Sequence, residues 1–309
     1  MAHSTLRPFI AYLPMDRRQA LANGRSLPNR TSGAALFADI SGFTLLTEAL
    51  VQELGRLRGA EELTQQLNAV YTPLIQKVHQ YGGCVISFSG DAITCWFNGD
   101  EGIRAAACAL AMQQVMKGFA ELRTPGGTAV SLAIKVALTV GPMRRFLVGD
   151  ETIQRMDVLA GATLDHMAAA EKWAQPGEVV LGPAAMAALG STVHVVAWRS
   201  DEQGARYAVI DGLRVPVTLS APWPELPRAA FTPEQLRPWL LPPVYERLVA
   251  GGQASGEQQF LAELRPAVTL FLRFSGLDYD GDDAAGEKLA AYLRWAQAVW
   301  PATKGICCN

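Results

Sequence analysis

Two aspartates carry the chemistry that can be read from this chain. Asp39 ends the apolar run Ala34-Ala35-Leu36-Phe37-Ala38 and is followed at once by Ile40-Ser41-Gly42-Phe43-Thr44, where a helical pattern starts. Asp91 follows Ser89-Gly90 between two short apolar runs, Cys84 to Phe88 and Ala92 to Phe97, that read as a hairpin. Each acid alone has an ordinary explanation: Asp39 can cap the next helix, and Asp91 can sit in a tight Gly-Asp turn. Together they favour cation binding, because burying two like charges without a cation costs several kcal/mol. Hard cations such as magnesium take carboxylate oxygens and keep waters, so two aspartates are the expected protein share of a two-metal site. The free backbone N–H groups at the Ser41-Gly42-Phe43-Thr44 helix start favour phosphate beside it.

The elements that must position these residues follow from periodicity. Gly33 to Asp39 reads as a buried strand and Ser41 to about Leu54 as a helix. Leu63, Leu67, Val70, Leu74 and Val78 give Glu62 to Tyr81 the three-and-four spacing of an amphipathic helix, which Gly82-Gly83 stops. After the hairpin come an alanine-rich helix from Glu101 to Phe119 and a strand from Val130 to Val140 ended by Gly141-Pro142. Phe146 to Val148 continues the sheet, and Gly161 to Trp173 is a further helix. This order predicts an α+β domain with helices on a largely antiparallel sheet.

Composition narrows the rest. The chain has 309 residues, half of them hydrophobic, and a net charge of −2 with Lys and Arg scattered singly. A globular protein with no nucleic-acid stripe is expected, and no apolar run is long enough to span a bilayer. Five cysteines without metal-ligand spacing suit a reducing, cytoplasmic setting.

The motifs Phe37-Ala38-Asp39-Ile40-Ser41-Gly42-Phe43-Thr44, Phe88-Ser89-Gly90-Asp91-Ala92-Ile93, Gly149-Asp150-Glu151-Thr152 and Val158-Leu159-Ala160-Gly161 resemble, in order and spacing, the class III nucleotidyl cyclases. The likeness is to the soluble adenylyl cyclase branch. It implies a ferredoxin-like cyclase domain that converts ATP to cyclic AMP and pyrophosphate with two magnesium or manganese ions. By this resemblance Asp39, Asp91 and the carbonyl of Ile40 are metal ligands. Ser41, Gly42, Phe43 and Thr44 then hold nucleotide phosphates, and Arg144 lies near a phosphate-binding arginine of some relatives. The family also takes an Asn and an Arg from the helix after the late glycine, and here those positions hold Asp165 and Ala169. The adenine-reading Lys position holds Ser87, and Asp157 stands one residue from another base-reading position. The resemblance therefore implies a half-site that needs a complementary cyclase domain, in cis or in trans. The alternative is a catalytically silent cyclase-homology module that binds nucleotide or regulates an attached domain.

Domain organisation is expected as a leader (1–30), a first cyclase domain (31–215), a linker (216–263) and an incomplete second copy (264–309). The linker rests on prolines 216, 222, 224, 227, 233, 238, 242 and 243. The second copy rests on Leu264 to Gly276, which repeats the logic of residues 31–42 with Arg273 where Asp39 stood. A helix from Gly286 to Trp300 is expected after it.

Overall fold

In a computed structural model that describes residues 7–227, 230–253 and 272–299, the helices pack around one large sheet. α1 (Arg7–Ile10) and α2 (Met15–Ala22) lead into β1 (Arg30–Ser41), α3 (Phe43–Gln80), the hairpin β2 (Cys84–Ser89) and β3 (Ala92–Asn98), and α4 (Ile103–Met116). A small ribbon of β4 (Leu122–Arg123) and β5 (Ala129–Val130) precedes β6 (Ala133–Asp150), β7 (Gln154–Ala160) and α5 (Ala162–Glu171). Then come β8 (Val179–Leu181), α6 (Pro183–Leu189), β9 (Val193–Ser200), β10 (Arg206–Leu213), α7 (Pro233–Leu236), α8 (Pro242–Gln253) and α9 (Ala285–Val299). The strand order is β2-β3-β1-β6-β8-β10-β9, with β7 paired to the far half of β6. Within this sheet the pairing of β6 with β8 is parallel and the others are antiparallel. This is the α+β class expected from the element order.

Strand alternation sorts the sheet into two faces. Ala34, Leu36, Ala38 and Ile40 of β1 join Ile134, Val136 and Leu138 of β6 in a core closed by Leu46, Leu50, Val70 and Leu74 of α3 and by α4. On the other face Ala35, Trp96 and Met143 meet Met167 of α5, and Ala137 meets Ala170. Asp39 falls in register with Ala35 and Phe37, so it belongs to the α5 face.

Several elements depart from expectation. The helices expected over Ser41 to about Leu54 and Glu62 to Tyr81 are joined in α3, and the break between them survives as a kink at Gly55 (φ 76°, ψ 172°). Gly141-Pro142 does not end a strand: β6 runs through it for 18 residues. Proline is tolerated there because β8 leaves β6 at Leu138 and β7 joins only at Arg144, so one edge beside Pro142 has no partner strand. The leader packs closely on the rest of the chain. Arg17 and Gln19 of α2 are buried, and Phe9 and Leu13 form a cluster with Phe231, Leu236, Trp239 and Leu240 of the proline-rich segment.

The expected second copy is not formed over 272–278, which is irregular, while 264–271 lies outside the described residues. Arg273 is exposed. The expected helix is present as α9, but it docks on the first domain. Ala285 and Leu289 pack on Phe146, Val148 and Ala160. Gln297 accepts from Asp150 N (2.7 Å) and donates to Gln154 O (2.9 Å).

Candidate functional site

The two aspartates meet because their elements are tied at one corner of the sheet. β1 ends at Ser41 with Asp39 opposite Ala92 of β3, and the amide of Ile40 donates to the carbonyl of Asp91 (3.3 Å). Gly90, at φ 63°, makes the tight turn that brings Asp91 back over the end of β1. Burial pushes the Asp91 carboxyl above its ordinary range, and the neighbouring Asp39 carboxylate pushes it in the same direction. Tyr71 of α3 stands beside both. Its hydroxyl is buried without a partner, and burial plus the charges of Asp91 and Asp39 drive its acidity well below that of free tyrosine. Its ring stacks on Phe43 (6.2 Å) and meets the edge of Phe88 (5.5 Å).

A cation already stands in this corner. Lys135 of β6 lies in register with Asp39 and places Nζ 3.0 Å from Asp39 Oδ2 and 2.5 Å from Glu171 Oε1 at the end of α5. The hydrogen bond to Glu171, then the contact with Asp39, hold the ammonium above its ordinary range. Lys135 and Glu171 are additions to the residues picked from sequence. The signal available was a lone lysine in the apolar run Ala133 to Leu138, which a buried central strand accepts only when the charge has partners.

The other expected residues divide between this corner and elsewhere. Gly42 is the N-cap of α3 (φ 103°), and no side chain caps that helix, so Asp39 is not spent as its cap. The Ser41–Thr44 turn thus offers uncapped amides next to Asp39, with Thr44 exposed and the Phe43 side chain sunk in the core. Arg144 is not brought here. It pairs in register with Arg30, at the opposite end of β1 from Asp39, about 30 Å along the strand. There it is buried, donating to the carbonyls of Tyr279 (2.9 Å) and Asp282 (3.3 Å).

Neither arginine of the Arg144-Arg145 pair is a solvated edge residue. Arg145 is buried in a network with Asp16 and with Asp157 (2.7 Å), and Arg17 closes it at 2.8 Å from Asp157. Burial alone raises the Asp157 carboxyl, but hydrogen bonds from Arg145 and Arg17 outweigh it and hold the group below its usual range. Asp157 is therefore fully engaged and presents no free oxygen to a base. Ser87, Asp165 and Ala168 are exposed.

Among the described residues no group of three or more His, Cys, Asp or Glu side chains is gathered as a metal cage. The corner still suits a hard divalent cation. Two adjacent carboxylates repel each other, an ammonium stands in as counter-ion, and a buried hydroxyl lacks a partner. Such a donor set can chelate a hard cation with two acids, leaving its remaining positions to water and phosphate.

Known proteins share the sequence pattern and the fold of this domain. The sequence pattern of the adenylate and guanylate cyclase catalytic domain matches residues 29–203. Adenylate cyclase type 10 of Oryctolagus cuniculus is 30% identical over 156 residues, covering 49% of this chain and 9% of that protein. The Homo sapiens protein of the same name is 29% identical over 156 residues. The chain thus spans only a small part of the length of these curated relatives. The crystal structure of the guanylyl cyclase Cya2 superposes with a TM-score of 0.51 at 22% identity, covering 62% of this chain and 97% of that one. A bacterial light-regulated adenylyl cyclase gives a TM-score of 0.53 at 14% identity, covering 70% of this chain and 62% of that one. These two likenesses concern the fold.

Proposed function

The chain belongs to the adenylate and guanylate cyclase catalytic domain family, and from that premise we propose that it supplies the cation and phosphate half of an adenylate cyclase site. The observation that carries the reading is the convergence of Asp39, Asp91 and Lys135 beside an uncapped helix start. In this reading Asp39, Asp91 and the Ile40 carbonyl hold two magnesium or manganese ions. Bound there, such ions assist deprotonation of the ribose 3′-hydroxyl and neutralise charge on the departing pyrophosphate. The Ser41–Thr44 amides receive phosphate oxygens, with Gly42 keeping the backbone open to their approach. Lys135 adds one mobile positive charge toward the same oxygens.

ATP is favoured as substrate by the adenylate cyclase relatives, and a complementary cyclase domain is the proposed partner. The proposed setting is cytoplasmic, and among the described residues no helix is long and apolar enough to cross a membrane. Asp165 is exposed and Ala169 has no charge, so α5 brings no donor to an α-phosphate, which the half-site and the silent-module readings accommodate equally. The test is cyclic nucleotide formation from ATP and from GTP with manganese, by the chain alone and with a complementary cyclase domain. Cyclic AMP from the mixture supports the proposal. Tight binding of a non-hydrolysable ATP analogue with no product under either condition supports the silent module.

A further inference from the structure

Lys135 makes two ion pairs at once, to Asp39 at 3.0 Å and to Glu171 at 2.5 Å. The three side chains come from β1, β6 and the last residue of α5, and each is about a quarter exposed. Strand register fixes Lys135 across from Asp39. Glu171 arrives by a separate route, because Met167 and Ala170 seat α5 on the same face of the sheet. A divalent cation at Asp39 competes with the ammonium for the same carboxylate and repels it. Without a second acceptor, the displaced ammonium would be left partly desolvated between the sheet and α5.

We propose that Lys135 is a resident counter-ion of Asp39, and that Glu171 is the positioning residue that takes Lys135 over when a divalent cation claims that carboxylate. Cation binding and the freeing of Lys135 for nucleotide phosphates then become one linked step. The inference rests on reading Asp39 and Asp91 as cation ligands. Linkage fixes its signs: Lys135 weakens cation binding in the absence of nucleotide, and Glu171 strengthens it by drawing Lys135 away. Glu171 acts through Lys135, so its effect vanishes when Lys135 is gone.

The experiment is manganese titration, followed by electron paramagnetic resonance and calorimetry, on the full chain without nucleotide. The variants are Lys135→Met, Glu171→Gln, the double variant and Asp91→Asn, each checked for folding by circular dichroism. Partly exposed ion pairs of this kind change equilibria by up to about fivefold. Lys135→Met is expected to bind manganese about three- to fivefold more tightly than wild type. Glu171→Gln is expected to bind about twofold more weakly, and the double variant to match Lys135→Met. If Lys135→Met fails to fold, Lys135→Gln carries the same expectation. Binding no tighter without the lysine, or an equal effect of Glu171→Gln in both backgrounds, overturns the switch. Equal manganese affinity in wild type and Asp91→Asn instead overturns the cation-ligand reading on which it stands.

Discussion

At the scale of single residues, the corner holding Asp39 and Asp91 is built against its own stability. Asp91 is shifted toward its protonated form by burial first and by Asp39 next, so the ionised pair destabilises the fold at neutral pH. Replacing Asp91 by Asn removes that repulsion and should raise the melting temperature in a chelator by about 1–3 °C. The same change should weaken manganese binding at least about tenfold, because half the carboxylate charge at the corner is lost. Calorimetric titration beside a thermal melt checks both, and a drop in melting temperature without any change in affinity would remove the functional reading. Both aspartates were legible in the sequence, since each stands between an apolar run and a turn or helix start. Lys135 was not, because the fact that pairs it with Asp39 is the β1–β6 register, which spans nearly a hundred residues of chain. Glu171 was less legible still: it depends on how a whole helix seats.

At the scale of elements, most strands and helices could be read from periodicity, and the misreadings share one cause. Gly141-Pro142 looked like a stop because proline lacks a donor, but whether a donor is needed depends on neighbouring strands that a local reading does not contain. Arg144 and Arg145 are buried because their partners come from α2, β7 and the 278–283 segment, all invisible to a local reading. The leader is the clearest case, since nothing in residues 14–22 announces that Arg17 will be buried against Asp157. Replacing Arg17 by Met leaves part of a buried carboxylate uncompensated, and urea denaturation should show a loss of about 3 kcal/mol. An unchanged midpoint would mean that Arg145 alone satisfies Asp157. The start of α3 is equally exacting. A Cβ on Gly42 would lie 2.4 Å from the Ser131 carbonyl in a left-handed backbone, so Gly42→Ala should cost about 2–4 kcal/mol and disturb nucleotide binding.

At the scale of the whole molecule, the leader, the proline-rich segment and α9 all fold back on the sheet, and this has consequences for both stability and activity. His79 sits in the last turn of α3, where the helix dipole favours a charged imidazole, yet burial and the nearby Arg18 push it down to about 4. Its folded value lies below its ordinary value near 6.5, so the unfolded chain binds the extra proton first as pH falls. Stability should be full above pH 6.5 and decline toward pH 4, and melting curves of His79→Gln should be flatter across that window than those of wild type. Four cations near these elements are meanwhile committed: Arg144 to the 279–282 backbone, Arg145 and Arg17 to acidic partners, and Lys135 to Asp39 and Glu171. α5 faces outward with Asp165 and the uncharged Ala168 and Ala169. Among the described residues, α5 then brings no positioned donor to the charge that would build on an α-phosphate under in-line attack. Removing one such donor typically costs about a hundredfold to a thousandfold in rate. Two copies of this chain would double the aspartates and still lack it. The chain alone should therefore form cyclic AMP at least about a hundredfold more slowly than the same chain mixed with, or fused to, a cyclase domain that carries the family's Asn and Arg. Initial rates with saturating manganese and ATP measure the ratio, and comparable rates for the two would mean that the charge is supplied from within this chain.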